Sequence, residues 1–252
     1  MPVAMVTGAS RGVGRGVAIA LADAGFQVFA TGRTIASADL PPTVSRIACD
    51  HLDDSQTRAA FERLPGQIDI LANSAWGGYE RMVEDGKFTW PLPFWEQPQH
   101  RWTGMLDAGV RAAFVASSLA AKKMVPHRQG LIVNISSWAA RKYIGNVIYG
   151  VSKAATDKMS ADMAEELRPH GVAAISLYPG LVRTEAVLGS NWFDLSNSES
   201  PEFIGRVIAA LWRDPGLLRR SGQALVAAAV ASELGVRDVD GKQPVPLTLE
   251  TT

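Results

Sequence analysis

The stretch Y-G-V-S-K places a tyrosine, Tyr149, four positions before a lysine, Lys153. On an α-helix, positions i and i+4 lie one turn apart on the same face. A cation beside a phenol favours its ionised form and makes it a better proton donor, which suits acid and base chemistry. The same spacing also fits a half-buried tyrosine beside a solvated lysine, so the interpretation depends on the rest of the chain.

A glycine-rich turn, T-G-A-S-R-G-V-G at residues 7–14, follows the first apolar segment and precedes a helical pattern. Its glycines are Gly8, Gly12 and Gly14. Glycines allow the backbone to approach a pyrophosphate closely, and the N-terminus of the following helix favours the negative charge. This context predicts a dinucleotide site, although a turn that merely needs small residues is the alternative.

The end of the second predicted strand bears on which nicotinamide cofactor is used. An acidic residue there would hold a ribose 2′-hydroxyl and favour NAD. The chain has Thr31, Gly32 and Arg33 instead. Arg33, joined by Arg11, could hold a 2′-phosphate through charge-assisted hydrogen bonds. We therefore predict a preference for NADP(H), with NAD(H) possible and two ordinary solvated arginines as the competing interpretation.

The elements that must position these residues alternate along the chain. Apolar segments predict strands at 3–8, 27–32, 44–50, 69–75, 130–137, 171–180 and 221–229, and helical patterns predict helices at 13–25, 55–64, 100–125, 146–169 and 200–214. Strands separated by helices favour a parallel sheet covered on both faces. Ligands bind such sheets at the carboxyl ends of the strands. We predict a single doubly wound α/β domain over residues 1–252, with its site at that edge.

Composition narrows the range of partners and locations. The chain has 252 residues, 47% hydrophobic, with a formal net charge of +0. Because it has no dense basic block, we expect no nucleic-acid partner. No run approaches the roughly 18 apolar residues that a membrane span requires, so we expect no membrane span. No signal-peptide pattern precedes the first strand pattern, so we expect no signal peptide. The single cysteine, Cys49, and four scattered histidines predict a cytoplasmic location and no metal site.

Six motifs occur in order along the chain: T-G-A-S-R-G-V-G, Asp50, N-S-A, S-S, Y-G-V-S-K and Y-P-G-L-V-R-T. Together they resemble the short-chain dehydrogenase/reductase family over residues 3–229. The stretch E-L-G-V-R-D-V-D-G at 233–241 is similar to one subgroup of that family. The resemblance implies a Rossmann-type sheet of seven strands. It also implies a homodimer or homotetramer built on the helices 100–125 and 146–169.

The resemblance also implies roles for single residues. Tyr149 would be the catalytic acid or base, Lys153 would make its phenol more acidic and bind the nicotinamide ribose, and Ser137 would bond the substrate oxygen. Asp50 would contact the adenine, and Asn73 would brace the sheet. The full set of implied cofactor-binding residues is Gly8, Ser10, Arg11, Gly12, Val13, Gly14, Arg33, Asp50, Asn73, Ser74, Ala75, Lys153, Pro179, Gly180, Val182 and Thr184.

Three features depart from the family pattern. Gly109 stands where an asparagine usually holds a water of a proton relay. The interval before Tyr149 is one residue short, so either Ser136 or Ser137 could be the catalytic serine. Alternation along a strand lets only one of them reach the site, and we choose Ser137 because the loop 138–145 can absorb a deletion. The segment 76–102 is longer than the usual connection.

The segment 76–102 is rich in aromatic residues, namely Trp76, Tyr79, Phe88, Trp90, Phe94, Trp95 and Trp102. Aromatic pockets suit bulky apolar ligands. We therefore expect an oxidoreductase acting on a large hydrophobic carbonyl compound or alcohol. A structural or subunit-interface cluster is the alternative for these aromatics. A dinucleotide sensor without turnover and an NAD-dependent dehydrogenase are the alternatives for function, and the role of the tail at 230–252 is open.

Overall fold

The computed structural model describes residues 1–190 and 192–252. In this part of the chain, seven strands form one parallel sheet: β1 (Val3–Thr7), β2 (Gln27–Gly32), β3 (Ser45–Ala48), β4 (Ile70–Asn73), β5 (Gly130–Ile135), β6 (Val172–Tyr178) and β7 (Ala224–Val226). Their order across the sheet is β7-β6-β5-β4-β1-β2-β3. Chain order reverses between β1 and β4, so a crevice opens at the carboxyl ends of these two strands.

Helices cover both faces of the sheet: α1 (Gly12–Asp23), α2 (Asp54–Glu62), α3 (Ala112–Met124), α4 (Val147–Leu167), α5 (Pro201–Arg213) and α6 (Ala227–Glu233). Side chains of β1 alternate between two cores. Val6 packs in the core that contains α1 and α5, and Met5 packs in the core that contains α2, α3 and α4. The prediction of a single doubly wound α/β domain with seven parallel strands is therefore confirmed.

The prediction of a strand over residues 221–229 is wrong after Val226. The strand β7 pairs with β6 only from Ala224 to Val226, opposite Ser176 to Tyr178. Because β6 ends at Tyr178, the chain beyond Val226 has no ladder partner. Its sequence A-A-A-V-A-S-E is rich in alanine, the best helix former, and folds as α6.

The predicted helix 100–125 is continuous but has three parts. A turn at His100–Trp102 leads into a π-helical segment, Thr103–Arg111, and then into α3. A π-helical segment widens the helix and is frequent at functional sites. The residue Gly109 lies in this segment.

The aromatic segment 76–102 follows β4 at the carboxyl edge of the sheet. It contains a short antiparallel pair, Val83–Glu84 with Lys87–Phe88, and one turn of 3₁₀-helix at Phe94–Glu96. The side chain of Arg101 is buried and donates to the Thr89 hydroxyl at 2.5 Å. None of the helices in the described ranges has the length and apolar content needed to cross a membrane.

Candidate active site

The glycine-rich turn is tightly packed at the end of β1. Gly8 has a φ of 68°, and a Cβ there would lie 2.5 Å from the Ala75 Cα. A Cβ on Gly14 would lie 2.3 Å from the Gly8 carbonyl oxygen. Because neither position tolerates a side chain, the glycines allow the close approach of backbone that a pyrophosphate site requires.

Ser10 and Gly12 show how this turn could hold an anion. The Ser10 hydroxyl is buried and has no hydrogen-bond partner among the described residues. The Gly12 amide donates to the carboxylate of Glu185 at 3.0 Å, at the N-terminus of α1. The Ser10 hydroxyl is a buried donor without a partner, and the Gly12 amide already donates to an anion. Both groups could donate hydrogen bonds to a phosphate. The turn therefore fits the dinucleotide that the sequence predicts.

Ser137 and Tyr149 come together at the carboxyl end of β5. The Asn146 side chain caps α4 by accepting the Tyr149 amide at 3.1 Å, which fixes the tyrosine in the first turn of the helix. The Ser137 hydroxyl lies 3.0 Å from the Tyr149 phenol oxygen. Ser136 is buried, and its hydroxyl donates to the Lys153 carbonyl instead. Of the two candidate serines, the structure brings Ser137 to the phenol.

Lys153 lies one turn after Tyr149 on α4, as the helical spacing predicts, and its side chain is buried. Its ammonium donates to the Ile135 carbonyl at 3.1 Å and lies 4.0 Å from the centre of the Trp76 ring. The Tyr149 ring centre is farther, at 5.8 Å. Burial lowers the pKa of Lys153 to about 8, although the negative charge of Asp157 opposes this shift. The lysine is thus a cation near neutral pH that loses its charge in mild alkali.

Asn73 is the centre of a buried polar network behind the site. Its side-chain amide donates to Asn134 at 2.8 Å and to the Ser117 hydroxyl at 3.0 Å. Asn134 in turn donates to Ser160 at 2.9 Å. The Thr7 hydroxyl accepts the amides of Ser74 and Ala75, each at 3.2 Å. These bonds tie the ends of β1, β4 and β5 together, and the role of Asn73 beside a cofactor stays a prediction.

Arg11 and Arg33 converge at the carboxyl ends of β1 and β2, and their role in holding a 2′-phosphate stays a prediction. Both contact one carboxylate oxygen of Glu80, Arg11 at 3.0 Å and Arg33 at 2.5 Å. The hydrogen bond and the charge of Glu80 raise the pKa of Arg33. No local pattern marks Glu80 in the sequence, so this partner was missed. Asp50, the predicted adenine contact, follows β3 and caps its own turn by accepting the Leu52 amide at 3.0 Å.

The segment Pro179–Thr184, predicted to line the nicotinamide, is held by a buried acid that the sequence did not reveal. The Gly180 amide donates to the Glu199 carboxylate at 2.8 Å, and Leu181–Val182 pairs with Ser198–Glu199. Burial raises the pKa of Glu199 to about 7, while its bond to Gly180 opposes this shift. The Thr184 hydroxyl caps the helical turn Glu185–Leu188.

The C-terminal tail contributes Asp238 to the same region. Asp238 is buried, and its carboxylate accepts from Arg183 at 3.0 Å and from the Ser200 amide at 2.9 Å. The Ser200 hydroxyl also donates to Asp238. The sequence leaves the role of the tail open, and the structure shows that Asp238 anchors the segment after β6.

The aromatic residues divide into an inner and an outer group. Trp76, Tyr79 and Trp90 surround Tyr149, with ring centres at 5.9, 6.2 and 5.4 Å. The Tyr79 hydroxyl donates to the Tyr149 oxygen at 3.3 Å. Phe94, Trp95 and Trp102 are mostly exposed. Only the inner group contacts the candidate catalytic residues.

Gly109 makes room for the inner group. A Cβ at this position would lie 2.8 Å from Trp76 Cε3, and one at Gly78 would lie 2.5 Å from Trp76 Cζ2. The indole of Trp76 thus occupies the space beside Gly109. The sequence shows that Gly109 replaces the asparagine usual in the family, but it does not show that Trp76 lies beside this glycine.

Comparisons with known proteins extend these observations. A family model described as short chain dehydrogenase matches residues 2–191. The chain is 38% identical to dehydrogenase/reductase SDR family member 1 from Homo sapiens over 266 residues, covering 95% of this chain and 84% of that protein. It is 32% identical to D-erythrulose reductase from Gallus gallus over 204 residues, covering 77% of this chain and 76% of that protein.

Among solved structures, a short chain dehydrogenase/reductase family protein superimposes with a TM-score of 0.74 at 27% identity, covering 89% of this chain and 94% of that one. These matches confirm the resemblance that the ordered motifs indicated. They also confirm the likeness to the subgroup of the human relative.

Proposed function

Because the chain belongs to the short-chain dehydrogenase/reductase family, we propose that it is an NADP(H)-dependent oxidoreductase that reduces a bulky hydrophobic ketone, aldehyde or quinone, or oxidises the matching alcohol. The observation that carries this proposal is the 3.0 Å distance between the Ser137 hydroxyl and the Tyr149 phenol, at the carboxyl edge of the sheet. Two hydroxyls at this distance can share one substrate oxygen.

In this mechanism the bound dinucleotide supplies the hydride. Tyr149 donates its phenolic proton to the substrate oxygen as negative charge develops there. Ser137 donates a hydrogen bond to the same oxygen, in the step where such bonds accelerate a reaction most. Lys153, positively charged near neutral pH, favours the phenolate that remains on Tyr149. The inner aromatic group excludes water from these polar atoms.

The cofactor preference rests on the paired arginines at the ends of β1 and β2. Arg11 and Arg33 already hold one anionic group, Glu80, between them. Bidentate guanidinium groups suit phosphate recognition. The residues that would contact the cofactor are those implied by the family resemblance, from Gly8 through Thr184.

The substrate class rests on the inner aromatic group. Trp76, Tyr79 and Trp90 present the apolar surfaces of their rings around Tyr149. An apolar wall with few polar groups suits a bulky carbonyl compound. The relative named D-erythrulose reductase carries the name of a small polar ketose, so a panel should include that class for contrast.

We also propose a cytoplasmic homodimer or homotetramer. Val147 and Val151 on α4 and Phe114 on α3 expose apolar side chains on the two long helices. Cys49 is a free buried cysteine, consistent with a reducing compartment. Light scattering coupled to size exclusion measures the assembly, and a monomer would contradict this part of the proposal.

The experiment is NADPH consumption by the purified chain on a panel of large and small ketones, aldehydes and quinones, with Tyr149→Phe as the test variant. We expect turnover of large apolar carbonyls and a loss of about 100-fold or more in Tyr149→Phe, since general acid catalysis contributes 10²–10⁴-fold. Dinucleotide affinity should stay within about twofold. Binding without turnover on every compound would favour the sensor interpretation, which the placement of Trp76 over Lys153 also fits.

A further inference from the structure

Glu80 links two arginines that lie far from it in the chain. Its Oε1 atom accepts from Arg11 at 3.0 Å and from Arg33 at 2.5 Å. One carboxylate oxygen thus bridges the glycine-rich turn and the end of β2. A carboxylate and a phosphate monoester present the same kind of acceptor to a guanidinium group.

Three side chains of the segment 76–80, namely Trp76, Tyr79 and Glu80, lie at the cleft formed at the carboxyl ends of the strands. Trp76 lies over the Lys153 ammonium at 4.0 Å, and the Tyr79 hydroxyl contacts Tyr149 at 3.3 Å. A backbone bond from the Glu80 amide to the Gly77 carbonyl at 3.2 Å folds the segment into a turn. Glu80 therefore reaches the arginines as part of an ordered turn rather than as a single extended side chain.

We propose that Glu80 is a specificity-determining residue, an internal carboxylate that competes with the 2′-phosphate of NADP(H) for Arg11 and Arg33. The inference rests on the proposed function, since it assumes that a dinucleotide binds in this cleft. Binding of the phosphorylated cofactor then exchanges one anion for another on the same arginine pair. Binding of NAD(H), which has a 2′-hydroxyl, leaves Glu80 in place.

The physical reason is the number of negative charges that two arginines can accept. A 2′-phosphate brought beside an arginine pair that still holds Glu80 meets a like charge, which opposes binding. The Arg11 and Arg33 side chains are 70% and 54% exposed, so each ion pair with Glu80 is weak and can be exchanged. Glu80 therefore reduces the affinity for the phosphate without abolishing it.

A second carboxylate provides an internal contrast. Glu185 accepts the Gly12 amide at 3.0 Å and pairs with Arg15 at 3.0 Å, at the N-terminus of α1. The pyrophosphate expected at this N-terminus is common to NAD(H) and NADP(H). Removing the charge of Glu185 should therefore affect both cofactors equally, whereas removing the charge of Glu80 should affect only the phosphorylated one.

The test is calorimetric titration of the full chain and its Glu80→Gln variant with NADPH, NADH, 2′,5′-ADP and 5′-AMP. We expect Glu80→Gln to tighten the Kd of NADPH and 2′,5′-ADP by about threefold to tenfold, and that of NADH and 5′-AMP by less than about twofold. The matched control is Glu84→Gln, which removes a carboxylate of the same segment that pairs with Arg81 and His100. It should change none of the four constants.

The outcomes separate this inference from the proposed function. If the parent chain binds and oxidises NADPH but Glu80→Gln leaves its Kd unchanged, the inference is wrong and the function stands. Equal tightening of all four ligands would also overturn it, because Glu80 would then close the cleft without selecting a cofactor. If the parent binds none of the four, both proposals fail. When Arg33→Gln is already present, adding Glu80→Gln should tighten the Kd of NADPH by a smaller factor than it does in the parent chain.

Discussion

The floor and the rim of the cleft are built differently. The floor, made of Asn73, Asn134, Ser137 and Tyr149, consists of neutral groups on or directly beside strands and helices. One hydrogen bond joins Asn73 to Asn134 in the interior, and another joins Ser137 to Tyr149. The rim, made of Arg11, Arg33 and Glu80, consists of charges on loops that remain partly exposed. Removing one group from a buried hydrogen-bond network leaves its partners unsatisfied and destabilises the fold. Exposed ion pairs contribute little to stability and exchange easily.

The difference separates positioning from selection. The floor holds the phenol and the serine hydroxyl in one geometry, which proton transfer needs. The rim holds a carboxylate, Glu80, and we propose that a ligand anion replaces it when one cofactor is selected over another. Variants in the floor should therefore change stability and turnover, and variants in the rim should change binding alone.

The largest stability effect is expected from Asn73→Ala in the floor. The change removes the donor to Asn134 and Ser117 and leaves their buried oxygens without it. We expect a loss of about 3 to 4 kcal/mol in the free energy of unfolding, since unsatisfied buried groups cost ~1–3 kcal/mol each. Urea denaturation measures this loss. The control Asn197→Ala, which removes two solvent-exposed hydrogen bonds to the Val245 backbone, should change it by less than about 1 kcal/mol, and equal effects would show that the floor network is not special.

Glu199, which is buried against the segment after β6, should make stability depend on pH. Burial raises its pKa in the folded chain to about 7 from an ordinary value of 4.5. The folded chain thus binds this proton more tightly than the unfolded chain. The stabilisation is complete below about pH 4.5 and is lost as the pH rises through about 7, a change of about 3 kcal/mol. Asp238 adds to the shift and Arg183 opposes it.

The measurement is urea denaturation of the parent and of Glu199→Gln between pH 5 and 8. The amide keeps an acceptor for the Gly180 amide but does not ionise. We expect the variant to gain stability relative to the parent as the pH rises, by up to about 3 kcal/mol. A constant difference across this range would mean that Glu199 does not titrate as its burial indicates.

The smallest effect is expected from Gly109→Ala, next to the inner aromatic group. An added Cβ would lie 2.8 Å from the Trp76 ring, which Gly78 confines on its other side. We expect overpacking to cost about 1 to 2 kcal/mol, despite the helix propensity of alanine. The control is Gly66→Ala, where a Cβ would meet nothing within 4 Å. Thermal denaturation compares the two, and an unchanged Gly109→Ala would mean that Trp76 leaves this space readily.

Much of the fold could be predicted from the sequence because its signals are local. Apolar segments between helical patterns indicate all seven strands, and the Y-x-x-x-K spacing places Tyr149 and Lys153 on one helical face. The end of β7 was wrong because the strand stops where β6 stops, which no local pattern reveals. Strand alternation lets only one of Ser136 and Ser137 reach the site, and we choose Ser137 because the loop 138–145 can absorb a deletion. The structure brings that residue to the phenol.

The site residues that the sequence did not reveal are brought into place by contacts between segments that are distant in the chain. Glu80 contacts Arg11 and Arg33 at separations of 69 and 47 residues. Glu199 contacts Gly180 through the turn after β6. Acidic residues are common on surfaces, so their types alone indicate nothing. The departure at Gly109 was visible, but nothing in the sequence showed that Trp76 occupies the space beside it.

The central claim is that Ser137 and Tyr149 act as one unit on a single substrate oxygen. The most direct test is a double-mutant cycle on kcat/KM for NADPH-dependent reduction, with Ser137→Ala, Tyr149→Phe and the double variant. Residues that act as a unit are strongly non-additive. We predict that the double variant is within about threefold of Tyr149→Phe alone. Losses that multiply across the two changes would contradict a shared oxygen and the role assigned to this pair.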